Sequence, residues 1–150
     1  MSGDLLVHGT AVAIEGGAVL LRGPSGAGKS DLALRLIDAG ARLVADDQAL
    51  LRRAGRRVLV RAAAAIAGLI EVRGIGILRV DALDEAPLVL IADLVLSGDI
   101  ERLPEQRTDT VLGLEIALIA LAPFEASAAA KLRLARRALA AAALPAILRG

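Results

Sequence analysis

Gly23-Pro24-Ser25-Gly26-Ala27-Gly28-Lys29-Ser30 follows an apolar segment and opens an amphipathic one, and it fits G-x-x-x-x-G-K-[ST] at each fixed position. The pattern predicts a strand before it, a helix after it, and a phosphate chain held between them. Glycines let successive backbone N–H groups turn inward, Lys29 can reach the β- and γ-phosphates, and the Ser30 hydroxyl can ligate Mg2+. A helix starting near Lys29 adds the positive end of its dipole. A glycine-rich helix cap alone would not require the full pattern, so binding of a nucleotide or polyphosphate is the working expectation.

Upstream, Leu5 to Ile14 and Ala18 to Arg22 flank Glu15-Gly16-Gly17, which predicts an antiparallel hairpin whose second strand feeds the loop. Pairing about Gly16-Gly17 sets position 8 opposite positions 24 and 25, so His8, the single histidine, is expected beside the loop. Downstream, Leu32, Leu34, Leu36 and Ile37 with Asp31, Arg35 and Asp38 between them form a helical pattern stopped by Gly40 in a left-handed C-cap. Arg42-Leu43-Val44-Ala45 is a short strand, and a crossover to it brings Asp46-Asp47 near Lys29 and Ser30. Paired carboxylates there suit phosphoryl transfer, one for Mg2+ and one as base for the attacking hydroxyl. A helix N-cap or turn pair is their ordinary role elsewhere. Asp93, inside Leu90-Ile91-Ala92-Asp93, ranks second for the metal, since apolar residues continue past it.

The remaining chain reads as further sheet closed by a helix. Arg52 to Arg57 is expected as a solvated basic bend, Arg57 to Arg61 as a strand, and Ala62 to Leu69 as helix or loop. Glu71-Val72-Arg73-Gly74-Ile75-Gly76-Ile77 suits a loop that approaches a ligand closely, or equally a strand and turn. Leu88 to Leu96 is a buried central strand, Leu114 to Leu121 the next, and Ala126 to Ala143 a terminal helix. Its Lys131, Arg133, Arg136 and Arg137 form a solvated face or a docking face for a partner. The expected fold is α/β: a mixed sheet containing the phosphate loop and flanked by helices.

Composition narrows the function. With 150 residues and 15.4 kDa one domain, residues 1–150, is expected. A net charge of +1 gives no global attraction to nucleic acid or anionic membrane. The aromatic content of 1%, Phe124 alone, removes stacking platforms for RNA or single strands. Hydrophobic residues make up 56% and mean hydropathy is +0.63, yet no apolar run nears the ~18 residues of a bilayer span. No signal peptide is visible, and cysteine is absent, so disulfides and thiolate sites are excluded and the cytoplasm is the expected location.

Val7-His8-Gly9, the loop through Ser30-Asp31, Arg42 to Asp47, and Ile70-Glu71-Val72-Arg73-Gly74-Ile75-Gly76-Ile77 occur in this order. Together they resemble the catalytic domain of the bifunctional HPr kinase/phosphorylase family, the last being close to its E-[IV]-R-G-x-G-[IL] signature. The resemblance implies an ATP- and Mg2+-dependent kinase that phosphorylates a serine of an HPr-like phosphocarrier, and a phosphorylase that removes the phosphate with inorganic phosphate to give pyrophosphate. It implies that Asp47 is base in one direction and acid in the other, that His8 supports it, and that Lys29 binds phosphate. Ser30 and Glu71, with Asp46, would hold Mg2+. It further implies a homo-oligomer, hexameric in the family. The matches begin almost at the start of the sequence, so the short form that some bacteria carry, without the family's N-terminal domain, is the expectation. The family's P-G-R-N segment, whose arginine serves dephosphorylation, has no counterpart: Leu112-Gly113-Leu114 stands at about that place, with Arg107 nearby but unmatched. A small-metabolite kinase and a non-catalytic ATP sensor are the alternative readings.

Overall fold

The computed structural model describes residues 4–140. Its strands are β1 (Leu5–His8), β2 (Thr10–Ile14), β3 (Gly17–Arg22), β4 (Arg42–Ala45), β5 (Gln48–Ala54), β6 (Arg57–Ala62), β7 (Leu69–Val72), β8 (Gly76–Arg79), β9 (Ala86–Leu94), β10 (Arg107–Val111) and β11 (Leu114–Leu121). Two α-helices, α1 (Lys29–Asp38) and α2 (Ala128–Ala140), join them. One sheet of nine strands runs β1-β5-β6-β9-β3-β2-β4, with β11 also on β9 and β10 beyond it, while β7 and β8 form a separate hairpin. The nine residues of β9 serve β6 at their start and β11 at their end, leaving the other edge to β3.

Strands β3, β9 and β11 are parallel, and β2 is antiparallel to both β3 and β4, so β4 points the same way. The segments leaving these strands therefore gather at one edge: the Gly23–Ser30 loop, Asp46-Asp47, and residues 122–127. Alternating side chains divide the core into two faces. Val12 and Ile14 of β2 pack with Leu32 and Leu36 of α1 and Leu132 of α2, whereas Ala11 and Ala13 face Leu51, Val58 and Val60. Both helices thus cover one face, and β5, β6 and the β10–β11 hairpin close the other. Each fully buried leucine of this kind contributes about 2 kcal/mol. Helix α1 ends as its sequence predicts: Gly40 is left-handed at φ 109, and the N–H groups of Gly40 and Ala41 bond the carbonyls of Ile37 and Leu36 at 3.0 and 2.9 Å.

Several local expectations are corrected. Leu5 to Ile14 is not one hairpin arm: the chain breaks at Gly9, β1 pairs with β5, and only β2 pairs with β3. Gly9 allows the break because a Cβ there would stand 2.9 Å from the Leu21 carbonyl oxygen. The turn is Glu15-Gly16, at φ 52 and 81, with Ile14 opposite Gly17. Gly17 belongs to β3, where a Cβ would lie 2.7 Å from the Arg136 guanidinium and 2.8 Å from Val89. Arg52, Arg53 and Ala54 are strand residues rather than a bend, since the β5–β6 register holds to Ala54 opposite Arg57. The ambiguous 62–69 stretch contains one 3-10 turn, Ala64–Ile66. The expected helix from Ala126 to Ala143 is observed as Ala128–Ala140, its remainder lying outside the described residues. On its basic face Lys131 and Arg137 are exposed, as a solvated face requires, while Arg136 is not. Arg136 is buried and donates to the carbonyls of Ile14 and Glu15 at 2.9 and 3.1 Å. Arg137 pairs with Glu15 at 2.6 Å and Lys131 with Glu125 at 2.9 Å.

Candidate active site

The loop between β3 and α1 turns through two left-handed glycines, Gly26 at φ 83 and Gly28 at φ 98, a geometry that side-chained residues resist. Gly23 allows a close crossing, since a Cβ on it would lie 2.9 Å from the Ala27 Cβ. The Ala27 N–H donates to the Pro24 carbonyl at 3.0 Å. Lys29 is buried, and its ammonium donates to the carbonyls of Gly23 at 2.6 Å and Pro24 at 3.0 Å. Two of its three donors thus hold it across the loop, leaving one for an anion.

Asp46 is the most heavily coordinated side chain at this edge. Its Oδ1 accepts from the Ser30 hydroxyl at 2.7 Å and the Thr10 hydroxyl at 3.1 Å, and its Oδ2 accepts from the Glu71 N–H at 3.0 Å. Three donors on a buried carboxylate offset its desolvation. Thr10 also accepts from the Asp47 N–H at 3.1 Å, and the Asp47 carbonyl takes the Gly9 N–H at 2.9 Å. Asp47 is left-handed at φ 66, a conformation Asp tolerates better than most residues but that still costs energy. Its carboxylate meets His8 Nε2 at 2.6 Å with the side chains 64% and 51% exposed respectively, so the pair faces outward while Asp46 faces inward.

His8 therefore reaches the site by another route than expected. It lies opposite Gln48 at the end of β1, beside Asp47, not across a hairpin from the loop. The seven expected phosphate-binding positions around Lys29 form the loop itself. Ser30, Asp46 and the Glu71 backbone meet, with the Glu71 side chain exposed on β7. Asp93 is excluded from that cluster because Arg22 grips both its oxygens, at 2.7 and 3.1 Å, and also reaches Asp109 at 2.7 Å. The Asp93 carboxylate, aided by Asp109 against the cost of burial, holds the Arg22 guanidinium pKa above its ordinary value. Leu112-Gly113 is the turn between β10 and β11, at the sheet edge opposite the loop, and Arg107 begins β10, exposed. Thr10 is the site residue not anticipated. Its signal was a hydroxyl in an otherwise apolar strand, one residue past His8-Gly9.

A mixed sheet with a glycine-rich strand-to-helix loop and a carboxylate pair at one edge is the arrangement of phosphate-loop α/β proteins. Within that class the particular family is shown by comparison: residues 1–121 match the HPr Serine kinase C-terminal domain, and the chain belongs to that family. It is 36% identical over 126 residues to the HPr kinase/phosphorylase of Prosthecochloris aestuarii, covering 76% of this chain and 37% of the relative. It is 41% identical over 113 residues to that of Alkaliphilus metalliredigens, covering 74% and 37%. The chain thus spans little more than a third of the length of these curated relatives. Among solved structures, the Hpr(Ser) kinase/phosphatase from Coxiella burnetii aligns with a TM-score of 0.76 at 26% identity, covering 92% of this chain and 89% of that one.

Proposed function

We propose that this chain is the catalytic core of an ATP-dependent protein serine kinase acting on an HPr-like phosphocarrier. The supporting observation is the continuous hydrogen-bonded path from His8 through Asp47, Thr10 and Asp46 to Ser30, which couples a solvent-facing carboxylate to the loop that would hold phosphate. Asp47 accepts the proton of the incoming serine hydroxyl, and His8 orients it. Lys29 and the loop N–H groups hold the transferring phosphate in line.

The donors present fit Mg2+. Asp46 accepts the hydrogen bond of the Ser30 hydroxyl, which leaves that oxygen's lone pairs for a cation, and Glu71, an exposed residue, is tied to the same carboxylate through its backbone N–H. Among the described residues no group of three or more His, Cys, Asp or Glu is arranged to hold a metal by itself. Ser30 and Glu71 are the proposed direct donors, with Asp46, which accepts three hydrogen bonds, positioning Ser30. Bound Mg2+ supplies neutralisation of charge on the phosphates.

The test is incubation with γ-labelled ATP, Mg2+ and an HPr-like carrier, followed by a chase with inorganic phosphate. Label on a carrier serine is expected. Release of the label as pyrophosphate would extend the reading to the phosphorylase reaction. ATP binding without transfer would replace the kinase reading by a nucleotide sensor. Assembly of several copies, six by family resemblance, goes with this reading, and light scattering of the purified protein checks it.

A further inference from the structure

Phe124, the single aromatic residue of the chain, stands against the Gly23–Ser30 loop with 71% of its surface exposed. A Cβ on Gly28 would lie 3.0 Å from its Cζ and 3.1 Å from its Cε1, so the ring edge occupies the space beside Gly28, just before Lys29. The ring is anchored without being buried. Arg35 of α1 donates to the carbonyls of Pro123 and Glu125, on either side of it. The Glu125 carboxylate in turn accepts from Ser97 at 3.1 Å and Lys131 at 2.9 Å. These bonds fix the segment leaving β11 beside the loop leaving β3, at the edge where open α/β sheets bind ligands. A large apolar ring left mostly exposed beside this loop offers surface to a flat ligand.

We propose that Phe124 is the platform on which the nucleobase stacks when the loop holds the phosphates, an inference that rests on the nucleotide-binding reading above. The family match ends at residue 121, so Phe124 lies beyond the matched residues. Stacking tolerates any base, because each has a π-face, so the ring supplies affinity for ATP and GTP alike.

Calorimetric titration of the whole protein with ATP, GTP and inorganic tripolyphosphate, which lacks a base, tests this. Phe124→Ala should weaken ATP and GTP by roughly 5- to 100-fold and leave tripolyphosphate within about twofold. Phe124→Trp should retain ATP affinity, and its indole, unique in a chain without tryptophan, should change emission with ATP but not with tripolyphosphate. Unchanged ATP affinity in Phe124→Ala, or equal weakening of ATP and tripolyphosphate, would overturn the platform while leaving the phosphate loop standing. Failure of the wild type to bind either ligand would overturn both readings.

Discussion

Thr10 is the residue on which both carboxylates depend. Its hydroxyl has one proton and spends it on Asp46, while a lone pair receives the Asp47 N–H, so one buried group fixes the inward and the outward acid together. Thr10→Val keeps the shape and removes both bonds. Leaving the Asp47 N–H unpaired should cost about 1–3 kcal/mol of stability, measured by urea unfolding, and should slow transfer more than it weakens ATP binding, because Asp47 loses its anchor. Lys29 differs in kind: with its ammonium committed to the loop, Lys29→Ala should weaken ATP affinity itself, by tenfold or more on the scale of a charge-assisted bond. Affinity within twofold of wild type would argue against the phosphate-loop assignment.

At the scale of elements, the site stands where β3, β4 and β11 end together, and small residues decide whether they can. Gly17→Ala would press a methyl into Arg136 and Val89, and overpacking of this sort costs about 1–3 kcal/mol, read as a lowered thermal midpoint. The segment after β11 carries a pH dependence. Lys131 first, and Ser97 second, hold the Glu125 carboxyl below its ordinary pKa. A depressed carboxylate contributes stability above its unfolded pKa, near 4.3, and loses it as pH falls through the folded value. The difference in thermal midpoint between wild type and Glu125→Gln should therefore shrink as pH is lowered below about 4.3, and a constant difference would contradict it. Much of this was legible in sequence where the signal is local. The loop pattern, the α1 stripe ending at Gly40, and Asp46-Asp47 at the end of β4 each lie within a few residues of what they specify. What was not legible depends on distant partners. The switch at Gly9 follows from a carbonyl on β3, Gly17 makes room for an arginine from α2, and buried Arg136 bonds backbone carbonyls 122 and 121 residues away. Composition alone made that arginine look solvated.

For the whole molecule, one sheet edge gathers the groups the proposed reaction requires, and the division of labour between its two carboxylates is the central claim. Asp46 is buried under three donors and is proposed to position Ser30; Asp47 is exposed against His8 and is proposed to take the proton. No helix among the described residues is long and apolar enough to cross a membrane. The most direct measurement is single-turnover transfer from γ-labelled ATP to an HPr-like carrier by the wild type and Asp47→Asn, with ATP affinity measured in parallel. If Asp47 is the base, Asp47→Asn slows transfer by roughly 100-fold or more and leaves ATP affinity within about twofold. An Asp47→Asn protein that transfers at the wild-type rate would contradict that assignment.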